Sequence, residues 1–339
     1  MQTVLLLFGG ESTEHDVSVS SARNVSQAID TKKYEITYGY IDRQGTWYYV
    51  ETINDTPPEN AKQLLPLLGQ KSFMIEDTDT ILKPDVILPI LHGTNGEDGA
   101  IQALAQLLHI PIVGCDISAS AAAMNKYVTK QIAMANGIRV VPFTVHNVAD
   151  DTPRFELVAE KLGKTLFVKP SSNGSSVGVH KVTNQAELES ALTDAHLYDK
   201  VVLIEKGIEA RELEVAILGN YPKIESSEVS EIKPDGEFYT FESKYDESSV
   251  SEVVIPAELS PEVASDLRRT AELIFRLIGG SGMARVDFFI DKENQDVYLN
   301  EVNTIPGFTN ISVYPKAWEH AGMSYSVLIE RLIQLALEK

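Results

Sequence analysis

The chain has 339 residues, 43% of them apolar, which is enough for two or three domains of about 100–200 residues with sizeable cores. Its 49 acidic residues outnumber 29 basic ones and leave a formal net charge of −20, which excludes a global basic footprint for nucleic acid. Any anionic ligand must therefore be met by local cations. The single cysteine, Cys115, excludes an intrachain disulfide framework. It sits in Val113-Gly114-Cys115-Asp116 without a flanking base and reads as a buried small apolar residue. The run Thr3–Phe8 is strand-like from the outset, with no basic n-region, and no apolar run approaches about 18 residues. The expectation is a soluble, cytoplasmic protein.

Up to Gly114, strand-like and helix-like segments alternate, the pattern of an α/β unit with a largely parallel sheet. Val4–Phe8 ends at Gly9-Gly10 and leads into a helix over Val17–Ile29. Tyr34–Ile41 and Trp47–Val50 read as strands with Arg43-Gln44-Gly45 turning between them. Asp85–Ile90 is an apolar strand that delivers the loop Leu91–Gly99 to a helix over Ala100–Leu108. The texture then changes. Ser118–Gly137 is Ala-rich and reads as one helical stretch, Val140–Val145 as a strand, and Thr152–Gly163 as a helix. Leu166–Pro170 is a strand ending at a Gly/Ser loop, and Val201–Glu205 is another strand. From Glu212 the chain is strand-rich, followed by helices over Pro261–Ile278 and Ser324–Leu337. Breaks near Gly114 and Glu205 divide the chain into 1–114, 115–205 and 206–339, without an internal repeat.

The runs Gly282–Ile290 and Val297–Thr309 flank a polar segment, Asp291–Asp296, and read as a hairpin or a near neighbour of one. Side-chain alternation puts Arg285 with Asp287 and Glu301 with Asn303, so Asp287, Glu301 and Asn303 converge as oxygen ligands beside a cation. Hard oxygens next to a cationic side chain suit Mg²⁺ holding a polyphosphate. A solvated surface hairpin is the bland alternative. The acids sit inside apolar runs, where an unpaired charge is costly, and this favours the metal site.

Phe8–Ser18 places two glycines at a strand end before a helix, a source of backbone amides and a dipole for an anion. Glu14 and Asp16 suit an ammonium instead, and helix capping by Ser12 or Thr13 accounts for the same residues. These readings stay open together. The G-x-G-x-x-G fingerprint is absent here, which disfavours dinucleotide binding. Lys169–Val179 is a strand-end lysine opening into a Gly/Ser loop able to wrap phosphates, although it is not a Walker A loop. A plain surface turn is its alternative. Leu203–Leu218 offers a strand, then a turn with a lysine and acids that can read an adenine edge and a ribose diol, or simply solvated charges. In Gly236–Tyr245, Phe238 and Phe241 read as packing, and Lys244 and Tyr245 as the functional candidates.

Taken together, these residues resemble the D-alanine–D-alanine ligase family of the ATP-grasp fold. Five motifs in order carry the resemblance: Gly9-Gly10-x-Ser12-x-Glu14, His92-Gly93-x-x-Gly96-Glu97-Asp98-Gly99, Lys169-Pro170 with Gly174-Ser175-Ser176-Val177-Gly178, Arg285-Val286-Asp287, and Glu301-Val302-Asn303-Thr304-x-Pro306-Gly307. The resemblance covers essentially the whole chain. It implies an α/β, three-domain ATP-grasp architecture with a Rossmann-like N-terminal domain, and ATP gripped between the central and C-terminal units. Lys126, Lys169 and Ser176 would contact phosphates, Glu205, Lys206 and Ile208 would read adenine, Glu212 would hold ribose, and Lys244 would reach the γ-phosphate. Asp287, Glu301 and Asn303 resemble the ligands of two Mg²⁺ ions, with Mn²⁺ as a substitute and a monovalent cation as an accessory. Glu14 would bind the amine of the first D-alanine, with Ser175 and Tyr245 joined to it in a hydrogen-bonded latch. His92 would lie near the substrates, Arg285 and the Gly307 amide would stabilise oxyanions, and Ser312 with Val313 would receive the second carboxylate.

The implied reaction is ATP-dependent joining of two D-alanines for peptidoglycan synthesis, by a homodimer assembled through the N-terminal unit. Its chemistry is consistent with the residues. A carboxylate is a poor electrophile until ATP converts it to an acyl phosphate, which the second amine then attacks. Phosphoryl transfer demands charge neutralisation, and the acyl phosphate demands shielding from water. The Gly/Ser loop and the Tyr245 loop are the segments expected to close over it. Asn173 stands where the family often has Glu, and Ile305 where it often has Ser; neither position carries charge in the mechanism. Tyr245 favours D-alanine over D-lactate or D-serine as second substrate, because lactate-forming relatives commonly have Phe there or a rebuilt loop. Two other classes compete with this reading. An oxidoreductase is weakened by the missing fingerprint, and a non-catalytic nucleotide module by the full set of metal ligands and lysines.

Overall fold

A computed structural model of the chain describes residues 1–174, 177–233 and 252–339. Ser175, Ser176, Lys244 and Tyr245 therefore lie outside the described residues. Three β-sheets are built within them. The first is centred on β1 (Gln2–Gly9), whose run Val4–Phe8 is fully buried. Its neighbours are β2 (Tyr34–Ile41) and β7 (Val86–Ile90), both parallel to it. Beyond β2 the sheet continues through β3 (Trp47–Val50), β4 (Lys62–Leu67), β5 (Ser72–Ile75) and β6 (Ile81–Leu82), in the order β6-β5-β4-β3-β2-β1-β7.

The expected largely parallel sheet is thus corrected: the four pairings from β2 to β6 are antiparallel. The connections explain it. A parallel pair needs a long crossover, whereas β2 and β3 are joined by a tight turn in which Asp42 N–H donates to Thr46 O at 2.9 Å. Strands β4 to β6 occupy a stretch whose apolar runs are too short and too interrupted by polar residues to show a period.

Helix α1 (His15–Ala28) packs Val19, Ala22 and Val25 on one face of this sheet, and α2 (Ala100–Leu108) packs Ile101, Ala105 and Leu108 on the other. The core under α1 also takes in Phe308, α8 (Val313–His320) and α9 (Tyr325–Leu337). The first and last parts of the chain therefore share one core, which fixes the 305–313 segment against the first sheet.

The second sheet is antiparallel, ordered β10 (His180–Val182), β9 (Leu166–Pro170), β11 (Val201–Lys206), β8 (Phe143–Asn147), and shares a core with α5 (Phe155–Leu162) and α6 (Gln185–Ala195). The strand expected at 140–145 forms later, at β8. Val140 instead makes an isolated parallel bridge to Leu299. The third sheet runs β15 (Glu252–Val254), β14 (Ser230–Lys233), β12 (Ala210–Asn220), β16 (Gly282–Asp291), β17 (Val297–Asn303), with β13 (Lys223–Ser226) paired to β12 and α7 (Pro261–Leu277) packed against it.

The single helical stretch expected over 118–137 is two helices, α3 (Ile117–Met124) and α4 (Lys126–Ala135), divided at Asn125. Asn125 is extended, at φ −87° and ψ 99°, and its Oδ1 accepts from Val128 N–H at 2.9 Å, so it starts a new helix as a cap. Lys126 N–H donates to Ser171 O at 2.8 Å, and Asn125 Nδ2 to Ser172 Oγ at 3.0 Å. The break ties the first turn of α4 to the Gly/Ser loop. Both helices contribute buried side chains to the core under the third sheet, as Ala119, Ala123 and Ala133 do.

Candidate active site

The hairpin β16–β17 sets the geometry. Antiparallel pairing puts Arg285 opposite Asn303 and Asp287 opposite Glu301. The register shifts between Asp287 and Phe288, so that Phe288 faces Leu299 and Asn300 is the extra residue on β17. Without that bulge, alternation counted from the turn would put Asn300 opposite Asp287 and drive Glu301 toward the core. Arg285 donates through Nε to Asp287 Oδ1 at 2.8 Å and through Nη2 to Oδ2 at 2.7 Å, a bidentate pair. Asn303 donates Nδ2 to Asp287 Oδ2 at 2.9 Å, which leaves its carbonyl oxygen as a further hard acceptor. From the first turn of α4, Lys126 Nζ lies 3.2 Å from Glu301 Oε2 and donates to Asn173 O at 2.7 Å.

Of these groups Lys126, Arg285, Glu301 and Asn303 line a cleft, open in part to solvent, together with residues from the first sheet and the 305–313 segment. Its lining carries four acids, Glu14, Glu97, Glu214 and Glu301, and two cations, Lys126 and Arg285. Such an acid-rich cavity suits ammonium groups and divalent cations.

Glu14 is buried at the start of α1, and its amide donates to Ser12 Oγ at 2.9 Å. The capping reading is corrected: the N-cap of α1 is Glu14, no side chain caps the helix, and Ser12 only braces the turn before it, which leaves Glu14 lining the cleft. The anion-binding reading of the glycine pair is corrected, because both amides are used inside the fold. Gly9 N–H donates to Ser18 Oγ at 2.8 Å and Gly10 N–H to Ile41 O at 2.8 Å. Gly9 has φ +92°, and a Cβ there would stand 2.1 Å from Ile41 O, so glycine is required by packing.

His92 is buried between the first sheet and the 305–313 segment. Its Nδ1 lies 3.0 Å from Ile305 O, which can only accept, so Nδ1 carries the proton and Nε2 accepts from Ser21 Oγ at 3.3 Å. Burial, outweighing the nearby Glu14 charge, lowers its pKa and keeps the ring neutral. Gly307 approaches Ser312 so closely that a Cβ would meet Ser312 Oγ at 2.6 Å. Ser312 is the N-cap of α8 and Val313 its first residue, and Ser312 Oγ accepts from Thr309 N–H at 3.0 Å. Both line the cleft, so a helix N-terminus is turned toward it.

Lys169, at the end of β9, pairs with Glu205 Oε2 at 2.8 Å, and Lys130 on α4 pairs with Glu205 Oε1 at 3.0 Å. Burial pushes the Glu205 pKa up, but the two lysines together outweigh it and the net shift is downward, so the carboxylate is ionised. Lys206 continues β11, Ile208 lies in the turn after it, and Glu212 is on β12 opposite Phe289. The structure thus brings Glu14, His92, Lys126, Arg285, Glu301, Asn303, Gly307, Ser312 and Val313 to one cleft, with Asp287 held by Arg285. Lys169 and Glu205 form a neighbouring cluster one turn along α4. Among the described residues no group of three or more His, Cys, Asp and Glu is placed to hold a metal, so an oxygen site here depends on Asn303 as well as the two carboxylates.

Two cleft residues were given no role from sequence. Glu214, on β12 opposite Asp287, forms an ion pair with Arg285, its Oε2 3.1 Å from Nε; the signal was its place in the alternation of Glu212 and Glu214 within an apolar strand. Glu97 accepts from Gly93 N–H at 3.1 Å and lies 3.5 Å from Ile305 N. Burial first, and the Glu14 charge second, raise its pKa from the usual 4.5 to about 8. Because the folded value is the higher one, the folded state holds the proton more tightly. Stability is full below 4.5 and falls as the pH rises toward about 8. Glu97→Gln is expected to flatten that slope, stabilising the protein at pH 8 by roughly 1–3 kcal/mol and much less at pH 5. Equal changes in thermal midpoint at the two pH values would contradict a bound proton on Glu97.

A model described as the D-ala D-ala ligase N-terminus matches residues 3–115, and one described as the D-ala D-ala ligase C-terminus matches residues 132–334. The chain is 40% identical to D-alanine–D-alanine ligase A of Escherichia coli strain K12, over 98% of this chain and 95% of that protein. It is 41% identical to the D-alanine–D-alanine ligase of Caldicellulosiruptor bescii, over 99% and 95% respectively. Among solved structures it resembles the D-alanine-D-alanine ligase of Coxiella burnetii, with a TM-score of 0.86 and 34% identity over 100% of this chain and 96% of that one. It also resembles the VanG D-Ala:D-Ser ligase of Enterococcus faecalis, with a TM-score of 0.88 and 33% identity over 99% of each. A hairpin of Arg, Asp, Glu and Asn facing a Glu and a neutral His across an acid-rich cleft, in a chain matched by both domain models, places this protein in the D-alanine–D-alanine ligase family of ATP-grasp enzymes.

Proposed function

We propose that this enzyme joins two D-alanines to D-alanyl-D-alanine through a D-alanyl phosphate, at the expense of ATP, in peptidoglycan synthesis. One observation carries the reading: a buried acid, Glu14, and a helix N-terminus, Ser312–Val313, line the same cleft as Arg285 and the Glu301–Asn303 pair. Glu14 takes the amine of the first D-alanine beside the neutral His92, and Ser312 with Val313 takes the carboxylate of the second. Arg285 and the Gly307 amide face the oxygen that gains charge as each bond forms. Lys126 and Lys169 meet the phosphates of ATP, and Glu205, Lys206 and Ile208 its base, with Glu212 on the ribose. Ser175, Ser176, Lys244 and Tyr245 keep the roles that the resemblance gives them.

The donor set fits Mg²⁺. Asp287, Glu301 and the Asn303 carbonyl are hard oxygens on adjacent strand positions, and Glu301 already receives a cation, the Lys126 ammonium at 3.2 Å. These three residues would hold the ions, which neutralise the phosphate charge during transfer. The chain divides into 1–114, 115–205 and 206–339, with α3 and α4 reaching from the second unit to the core of the third.

No helix among the described residues is long and apolar enough to cross a membrane. A homodimer through the first unit is supported by Leu68 and Leu107, each 57% exposed and adjoining, since Gly69 N–H donates to Leu107 O at 3.0 Å. Purified protein with ATP and Mg²⁺ is expected to release ADP only when D-alanine is present, with equimolar dipeptide. Absence of D-alanine-dependent release would sink the reading. Supplying D-serine as a competing second substrate separates the D-alanyl-D-serine alternative. Tyr245→Phe is expected to raise D-alanyl-D-lactate relative to dipeptide, and an unaltered product ratio across pH would remove Tyr245 from the choice of second substrate.

A further inference from the structure

Lys130 has no solvent exposure, yet no role in the chemistry requires a lysine there. It lies one turn after Lys126 on α4, on the same face, and its Nζ is 3.0 Å from Glu205 Oε1 and 5.6 Å from the centre of the Phe143 ring. Phe143 pairs directly with Glu205 across β8 and β11, and Lys169 pairs with Leu203 across β9 and β11. Glu205 is therefore held from two sides, by Lys130 on Oε1 and by Lys169 on Oε2 at 2.8 Å. The two lysines differ in one respect. The Lys169 side chain keeps 10% of its surface exposed and stands at the strand end that opens into the Gly/Ser loop, whereas Lys130 is sealed beneath Phe143.

That difference gives the pair separate tasks. A buried carboxylate stripped of its counter-charge is strongly disfavoured. If Lys169 were the sole partner of Glu205, drawing it to a phosphate would orphan the acid, and phosphate binding would be weakened by that cost. Lys130 cannot leave, so it keeps Glu205 compensated whichever anion Lys169 touches. We infer that Lys130 is a positioning residue for the nucleotide: it holds the Glu205 carboxylate in place for the base and so frees Lys169 to move to the phosphates, an inference that rests on the ATP site proposed above.

The test is a double-mutant cycle on the full chain, with ATP affinity measured by calorimetry in Mg²⁺ without D-alanine. Lys130→Met is expected to weaken ATP binding on the order of tenfold, and Lys130→Arg by no more than about threefold, because the charge is retained. In the E205Q background no buried acid competes for Lys169, so adding Lys130→Met is expected to change affinity less than about twofold. The K130M/E205Q protein also removes both buried charges, so it remains a usable reference if Lys130→Met alone does not fold; Lys130→Arg then carries the comparison. An equal loss in both backgrounds, or a Lys130→Met protein with lower thermal stability but unchanged ATP affinity, would overturn the assignment and leave Lys130 as core support. A protein that shows the expected cycle yet makes no dipeptide would overturn the ligase reading and leave Lys130 in its role.

Discussion

Asp287→Asn and Glu301→Gln are each expected to lower D-alanine-dependent ADP release by about a thousandfold or more while leaving the protein folded. Both replacements are nearly isosteric and remove one negative charge, so what is lost is attraction for a divalent cation rather than packing. The effect on stability is bounded by the partners left behind. In Asp287→Asn, Arg285 keeps Glu214 at 3.1 Å, and in Glu301→Gln, Lys126 keeps its bond to Asn173 O at 2.7 Å. Neither cation is orphaned, and a loss of roughly 1–3 kcal/mol in unfolding free energy is expected. The discriminating readout is the Mg²⁺ dependence. Activity of the Glu301→Gln protein should saturate at a higher Mg²⁺ concentration than that of the unmodified protein, if it is measurable at all. Near-normal kcat in either variant would mean that the oxygens on this hairpin do not hold the metal.

The same hairpin shows how far the sequence could be read. Alternation put Arg285 on one face with Asp287, and Glu301 on one face with Asn303, and the structure has the two pairs in register. Yet strict alternation would have turned Glu301 inward; the bulge at Asn300 corrects the phase, and nothing in the local pattern announces it. The strands and helices with long apolar periods were legible for the same reason, from β1 and α2 to α7 and α9. What was missed depends on contacts far apart in the chain. Glu97 has its pKa raised by burial and by the Glu14 charge, both set by chain that folding brings in from as far as Ile305, 208 residues away, and so its perturbed carboxyl has no local signal. Lys130 looks like an ordinary helix-surface lysine until β11 brings Glu205 against it. The Gly9 and Gly10 amides looked available to an anion because their partners, Ser18 Oγ and Ile41 O, are set by the fold around them. The break at Asn125 was the most accessible of these, since Asn is a strong cap. An Ala-rich run on one side and good helix formers on the other concealed it.

Arg285→Lys should prove nearly as damaging as loss of a metal ligand, even though it conserves charge. The guanidinium presents five donors in a rigid plane, and here Nε and Nη2 are committed to the two oxygens of Asp287 at 2.8 and 2.7 Å. One edge of the fork thus fixes the acid on the hairpin, and the planar group carries positive charge toward the cleft that Glu14, Ser312 and Gly307 also line. A lysine supplies one compact charge and cannot hold both carboxylate oxygens while facing an oxyanion. Because the oxyanion develops only as the acyl centre is attacked, the loss should fall on kcat, by about a hundred- to a thousandfold, with KM for D-alanine changed little. Glu214 sharpens the expectation. It lies 3.1 Å from Nε and is buried, so a lysine at 285 would be drawn to Glu214 and Asp287 at the rear of the cleft, away from the reacting carbonyl. Steady-state kinetics at saturating ATP and Mg²⁺ decide the matter. A Lys variant with kcat within about threefold of the unmodified protein would reduce Arg285 to a charge balancing its two acids.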